Sequence, residues 1–327
     1  MKYFYLFCGL WVCQVSYAQY RPEYSHFMMN NYLINPAVTG TENYGDMQIG
    51  YRKQWMDIEG SPQTAYLSFH MPIGIYQSRG FSKTFTQLPG TSDRSPKHTN
   101  STKHGIGGML LSDRIGPFSR FHGYVSYAIH KPLTEKFTLS LGASLGMMHN
   151  TLDPDKVSLH DPNDPTIHNF SSEFSLDGGI GLWGYSEKLY VGLAITDINA
   201  FSTAENKEAS PFSDMHVLLT GGMNLPLHPS LSLLPSVQIR TIGNDAFSWQ
   251  TALRLMIKQR FWVGSGYRFQ SDVILMTGMY INDLLSFSYA YDIGVGAPAQ
   301  YSAGSHELTL GLKIFNKNKV ICPQFLW

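Results

Sequence analysis

An all-β fold, specifically a transmembrane antiparallel β-barrel of about fourteen strands, is what this 327-residue sequence predicts. Three observations carry the prediction. Apolar and polar residues alternate with period two along most of the chain. The N-terminus reads as an export signal with no spanning helix after it. The composition is poor in charge and rich in aromatics.

The alternation is clearest in the middle and at the end. Phe137, Leu139, Leu141, Ala143, Leu145 and Met147 interleave with Thr138, Ser140, Gly142, Ser144, Gly146 and Met148. Leu189, Val191, Leu193 and Ile195 interleave with Tyr190, Gly192, Ala194 and Thr196, and Leu308, Leu310, Leu312 and Ile314 with Thr309, Gly311 and Lys313. Successive side chains of a strand point to opposite faces, so each such segment has one oily and one polar face. The pattern recurs over 44–56, 62–72, 104–113, 119–131, 136–149, 173–186, 188–198, 214–227, 230–242, 246–257, 260–269, 271–281, 284–294 and 305–315. Most segments are long enough to cross a bilayer when tilted, whereas strands of soluble sheets average about 5–6 residues.

Lys2 precedes the apolar run Tyr3–Val12, and the small-residue site Ser16-Tyr17-Ala18 precedes Gln19. This pattern predicts a signal peptide over 1–18, since the run is shorter than the ~20 residues of a spanning helix. Cys8 and Cys13 leave with it, so Cys322 alone remains and no internal disulfide forms. Charged residues are 15% and aromatics 13% of the chain, against about 25% charged in ordinary soluble proteins. Only helices and closed barrels satisfy every backbone group in lipid, so export without a helix predicts an integral outer-membrane protein. Net charge is zero, which gives no reason to expect a nucleic-acid partner.

The domain organisation follows. Residues 19–43 precede the barrel and are too apolar for a free tail. They are expected to tuck into the periplasmic mouth as a plug, with Gly, Ser and Thr on the polar strand faces leaving room. The barrel spans 44–315, and 316–327 form a periplasmic tail ending Phe325-Leu326-Trp327. With the first strand running outward, short periplasmic turns fall at 132–135, 187, 228–229, 258–259 and 282–283, and longer outer loops at 150–172, 199–213 and 295–304. Such a division of lengths is expected of outer-membrane barrels. The polar stretch 73–103 breaks the rule, as either a periplasmic arm or a sign that one strand has been miscounted.

No motif points to catalysis. Gly142-Ala143-Ser144-Leu145-Gly146 fits the G-x-S-x-G pattern but lies inside an alternating strand, not at the strand–turn–helix elbow that exposes a nucleophile. Asp153, Asp155, His160, Asp161, Asn163 and Asp164 cluster without the spacing of a calcium loop. Neither a cofactor nor a metal is expected. In Arg52-Lys53-Gln54-Trp55 two readings stand. Trp55 belongs to an interfacial aromatic girdle while Arg52 and Gln54 turn inward to the plug, or Trp55 and the Ile58–Gln63 turn face a partner. The residues expected at plug or partner contacts are Asn35, Pro36, Arg52, Gln54, Trp55, Gly60 and Pro62.

The stretch Tyr24-Ser25-His26-Phe27-Met28-Met29-Asn30-Asn31-Tyr32-Leu33-Ile34-Asn35-Pro36-Ala37 resembles the N-terminal signature of the PorP/SprF family. So do Tyr51-Arg52-Lys53-Gln54-Trp55, Ile58-Glu59-Gly60-Ser61-Pro62-Gln63-Thr64 and Asp113-Arg114-Ile115-Gly116-Pro117-Phe118-Ser119. Met56-Asp57 departs from the family's small apolar pair, and 73–103 is longer than its usual connection. The resemblance implies a non-enzymatic outer-membrane accessory of the type IX secretion system of Bacteroidota. Its partners would be a secreted substrate protein, such as a gliding adhesin, and periplasmic or outer-membrane components of the machine, within outer-membrane lipid. The alternative is an outer-membrane transport barrel for small solutes.

Overall fold

A computed structural model describes residues 24–73, 102–157, 172–198, 201–202, 215–242, 246–295, 302–317 and 319–321. The signal peptide, most of 73–103, the acidic residues from 158 to 171 and the terminal Phe325-Leu326-Trp327 lie outside the described residues.

The strands, in chain order, are β1 (Gly45–Lys53), β2 (Gln63–Pro72), β3 (Lys103–Ile115), β4 (Phe118–Pro132), β5 (Thr138–Leu152), β6 (Ser172–Tyr185), β7 (Leu189–Thr196), β8 (Phe201–Ser202), β9 (His216–Met223), β10 (Leu225–His228), β11 (Leu231–Ile242), β12 (Ala246–Ile257), β13 (Phe261–Arg268), β14 (Asp272–Tyr280), β15 (Leu285–Gly294) and β16 (Ser305–Ile314). β9 and β10 are the two parts of one stave interrupted at Asn224, and β8 only extends β7's side of β6. The result is a closed antiparallel barrel of 14 staves. Closure comes from β1 pairing with β16, from Gly45↔Ile314 to Lys53↔His306. A barrel closed in this way leaves no unpaired edge.

β2 pairs directly with β3 from Gln63↔Arg114 to Pro72↔Gly105. No strand is missing between them, so 73–102 is a long connection at the end of the barrel where β1 begins. That near end is the one the sequence reading assigns to the periplasm, and its other connections, such as 186–188 and 258–260, are short. The far end departs from the expected rule. Its loops 153–171, 197–215 and 295–304 are long, but Gly116-Pro117 alone joins β3 to β4 and 269–271 joins β13 to β14. The tight turn at Gly116, with φ +56, needs the left-handed backbone that glycine adopts without strain.

Burial is inverted relative to a water-soluble protein. Apolar side chains of every long stave face out: Val125 is 66% exposed and Leu145 63%. Polar and charged ones face in: Arg52 is 2% exposed, Glu307 1% and Asp292 0%. No helix among the described residues is long and apolar enough to cross a membrane. An apolar band on a closed sheet requires lipid around it. Leu145→Arg, in the middle of β5, should therefore destabilise the folded barrel by about 2–4 kcal/mol. Urea titration of the variant in lipid vesicles measures this, and an unchanged midpoint would place Leu145 away from the lipid.

The lumen is more heavily charged than its Gly-, Ser- and Thr-rich sequence pattern suggests. Arg52, Asp113, Arg120, Glu173, Asp177, Arg240, Arg254, Arg268, Asp272, Asp292, Glu307 and Lys313 are all buried. They are spread over ten strands, one or two to each, and only the register brings any of them together.

Candidate functional site: an internal charge cluster and the N-terminal segment

Alternation turns Arg52 of β1 inward, and the register sets it directly opposite Glu307 of β16. Glu307 is in turn paired with Ala290 of β15, beside Asp292. Arg268 and Asp272 are a cross-strand pair of β13 and β14, and Gln250 of β12 is opposite Arg268. Six neighbouring staves thus aim their polar groups at one place near the far end. Arg52 Nη2 lies 2.7 Å from Asp292 and Nη1 3.1 Å from Glu307. Arg268 Nη1 lies 2.7 Å from Asp272 and 3.4 Å from Asp292, and its Nε donates to Gln250 at 3.2 Å. Ionised groups buried within a membrane protein are tolerated when they pair with one another in this manner.

Ser25 sits at the centre of this cluster. Its hydroxyl donates to Asp292 at 2.7 Å, its backbone N–H donates to Glu307 at 2.8 Å, and Arg52 donates to its oxygen. His26 Nδ1 lies 3.2 Å from the other oxygen of Glu307. From here the chain descends toward the near end through three 3-10 turns, Phe27–Met29, Asn31–Leu33 and Pro36–Val38. Gln48 donates to the Met29 carbonyl at 3.2 Å, and Asn30 donates to Ser68 at 2.8 Å. The Tyr32 hydroxyl is 2.7 Å from Ser126.

At the near end, backbone groups that a short irregular segment would otherwise leave unpaired are taken up by strand side chains. Ser140 donates to the Ala37 carbonyl at 2.6 Å, His130 Nε2 is 2.8 Å from the Thr39 carbonyl, and the Gly40 N–H donates to His70 at 3.1 Å. Lys103 Nζ donates to the carbonyls of Thr41 and Glu42 at 2.6 and 3.0 Å. Close approach is possible because strand positions facing the segment are glycine. A Cβ at Gly142 would collide with Pro36 and Ala37, one at Gly181 with the Asn35 side chain, and one at Gly105 with the Thr39 carbonyl. Lys313 closes the same end. Its ammonium lies over the rings of Tyr280 and Tyr44, at 4.9 and 5.5 Å, and donates to the carbonyls of Val320 and Ile321.

The residues singled out in the sequence fall in three places. Asn35 and Pro36 are buried against β5 and β6. The Asn35 side chain caps the turn by accepting from the Ala37 N–H at 2.9 Å and donates to Leu182 and Leu193 carbonyls at 3.0 and 3.3 Å. Arg52 is in the charge cluster. Gln54, Trp55, Gly60 and Pro62 lie in the far-end turn after β1. The Gln54 backbone N–H donates to the Pro62 carbonyl at 2.9 Å. The half-buried Trp55 is left-handed, with φ +49, and its N–H donates to Ser305 at 3.1 Å. Gly60, at φ +72, accepts from Gly116 at 2.8 Å, and the Met56 N–H donates to Gly304 at 2.8 Å. The turn is therefore tied to both neighbouring connections.

Sequence reasoning missed Ser25, Arg268, Asp272, Asp292, Glu307, Lys103 and Lys313 as segment or tail contacts. A signal existed: Glu307 and Lys313 flank the alternating Leu308–Leu312, and an ionisable group inside a spanning strand needs a partner. Ser144 of the G-x-S-x-G stretch lies within β5, its hydroxyl 3.5 Å from the Gly179 carbonyl, with no elbow around it.

Solved structures resembling the barrel include the CymD monoaromatic hydrocarbon channel (11% identity, TM-score 0.47, covering 92% of this chain and 95% of that one). The deltaS2 mutant of the TodX monoaromatic hydrocarbon channel gives 8%, 0.46, 87% and 94%, and Omp33 of Acinetobacter baumannii gives 8%, 0.43, 84% and 100%. No curated protein matches the sequence. The family described as type IX secretion system membrane protein PorP/SprF matches residues 16–312, nearly the whole length. With its apolar exterior and closed sheet already placing it in lipid, the chain is an integral outer-membrane barrel and belongs to the PorP/SprF family.

Proposed function

We propose that this barrel is a non-enzymatic accessory of type IX secretion, assisting the secretion or surface anchoring of a cognate substrate protein and touching periplasmic components of the machine. The observation that carries the reading is the family match over residues 16–312. A second supports it: the lumen is crossed by the chain's own residues 24–44, held by charge pairs and backbone-directed hydrogen bonds. A segment so held plugs the barrel against free passage of solutes, and rings of unpaired charge that would select ions are replaced by internal pairs. The far-end turn of Trp55, Gly60 and Pro62, fixed to both neighbours, offers a rigid surface to a substrate outside.

The test is an affinity pull-down of the tagged barrel from gently solubilised outer membranes, with bound proteins identified by mass spectrometry. Recovery of a large secreted protein or of periplasmic secretion components is the expected result. An intact barrel that comes down alone, and conducts small solutes in a planar bilayer, would overturn the reading in favour of transport.

A further inference from the structure

We infer that the lumen holds a binding site for a primary ammonium group, one register step inside the near end, with the Asp46 carboxylate as its anchor. A cavity lies there between the barrel wall and the N-terminal segment. Asp46 and Gln48 of β1, Gly311 of β16 and Ser286 of β15 line it, and the register sets Gln48, Gly311 and Ser286 in one row. Glycine at 311 keeps this part of the wall hollow, since a Cβ there would meet the Ser286 hydroxyl. Met29 of the N-terminal segment and the rings of Trp262 and Tyr280 bound the rest. The space holds about three water-sized groups.

Lys313 is directly opposite Asp46 and is the cation expected to neutralise it. Its ammonium instead donates to the carbonyls of Val320 and Ile321 and lies over the rings of Tyr280 and Tyr44. Asp46 accepts from Gln48 at 3.5 Å and forms no ion pair among the described residues. An ionisable group inside a membrane protein needs a partner. The Gln48 amide nitrogen is engaged by Asp46 and the Met29 carbonyl, which leaves its oxygen as a second acceptor. The hydroxyl of Ser288 adds a third. Such walls tolerate a cation, as Lys313 over Tyr280 at 4.9 Å and Arg254 over Trp262 at 5.5 Å already show. A divalent metal fits poorly. Calcium takes about 6–8 oxygens, and no cluster of His, Cys, Asp and Glu able to hold a metal occurs among the described residues. A short primary ammonium, with three donors and no acceptor, matches the lining. Its source is either a free short-chain amine or the tip of a lysine side chain in a peptide.

The probes are ethylammonium, its uncharged counterpart ethanol, and Nα-acetyl-lysine amide, each titrated by calorimetry into the full-length barrel in detergent micelles. Ethylammonium should bind saturably at one site per barrel, and ethanol should not. Asp46→Asn should weaken binding about tenfold or more, the loss expected when the ionised partner of a hydrogen bond is removed. Gly311→Leu keeps the carboxylate and fills the cavity at the expense of the Ser286 side chain, and should abolish binding. The heat-dependent shift of the folded band on a gel confirms that each variant is a barrel. Tighter binding of the lysine derivative than of ethylammonium identifies a peptide side chain as the source, and equal or weaker binding a free amine. Absence of saturable binding by both amines overturns the inference, as does full affinity in either folded variant. The pull-down does not depend on these outcomes, so failure here is distinct from failure of the secretion reading.

Discussion

Arg52→Met should release Tyr24–Met29 from the lumen and lower barrel stability by about 3–5 kcal/mol, the loss expected when one partner of a buried ion pair is removed. Arg52 bonds Asp292, Glu307 and Ser25 at once. Without it, the donors left to the two buried carboxylates among the described residues are Ser25 for both, Arg268 at 3.4 Å for Asp292 and His26 at 3.2 Å for Glu307. Limited proteolysis in detergent reads the release, as new cleavage within 24–30, and the temperature at which the folded band shifts on a gel reads the stability. Adding Asp292→Asn should recover part of the loss. The remaining charges are then Arg268 with Asp272, 2.7 Å apart, and Glu307 with Ser25 and His26. Coupling of this kind is the signature of a shared network. If the two substitutions instead lose stability additively, the cluster is a set of independent pairs and does not act as one clamp on Ser25.

The staves were legible because their signal is local. Leu139, Leu141 and Leu145 face lipid for the same reason that they alternate with Ser140, Gly142 and Ser144. The sequence boundaries for β5 and β6 differ from the structure by only a few residues. The break at Asn224 between β9 and β10, and the two-residue turn at Gly116, were not anticipated. Nor does local pattern reveal the charge cluster, because Ser25, Arg52, Arg268, Asp292 and Glu307 are separated by up to 282 residues and meet only through register and closure. The same holds for Gly142 and Gly181. In sequence they are small residues on a polar face, and only the path of Asn35–Ala37 shows what their missing side chains make room for. An apolar stretch signals that residues 24–44 are buried but not how far along the barrel axis they reach, and only the bonds of Ser25 to Asp292 and Glu307 show that they extend to the charge cluster.

Gly142→Leu should open the lumen without dismantling the barrel. The Cβ alone would collide with the backbone of Pro36 and Ala37, and backbone cannot yield as a flexible side chain does. Gly142 itself lies within β5, paired with Ala128 and Gly181, where leucine suits the strand backbone. The strain therefore falls on the segment and not on the sheet. Overpacking of this kind costs about 1–3 kcal/mol, and it is relieved when Pro36–Val38 move away from β5, with loss of the Ser140 bond to Ala37. The purified variant should show stable single-channel conductance in a planar bilayer, where the parent protein shows brief or no openings. Gly123→Leu provides the control. Gly123 also lies in an inter-strand register, but a Cβ added there would meet Leu110 at 3.5 Å, an ordinary contact on the lipid-facing side, so conductance should stay at the parent level. Equal conductance in both variants and the parent would mean that residues 24–44 do not limit passage, and that the charge pairs above them serve stability alone.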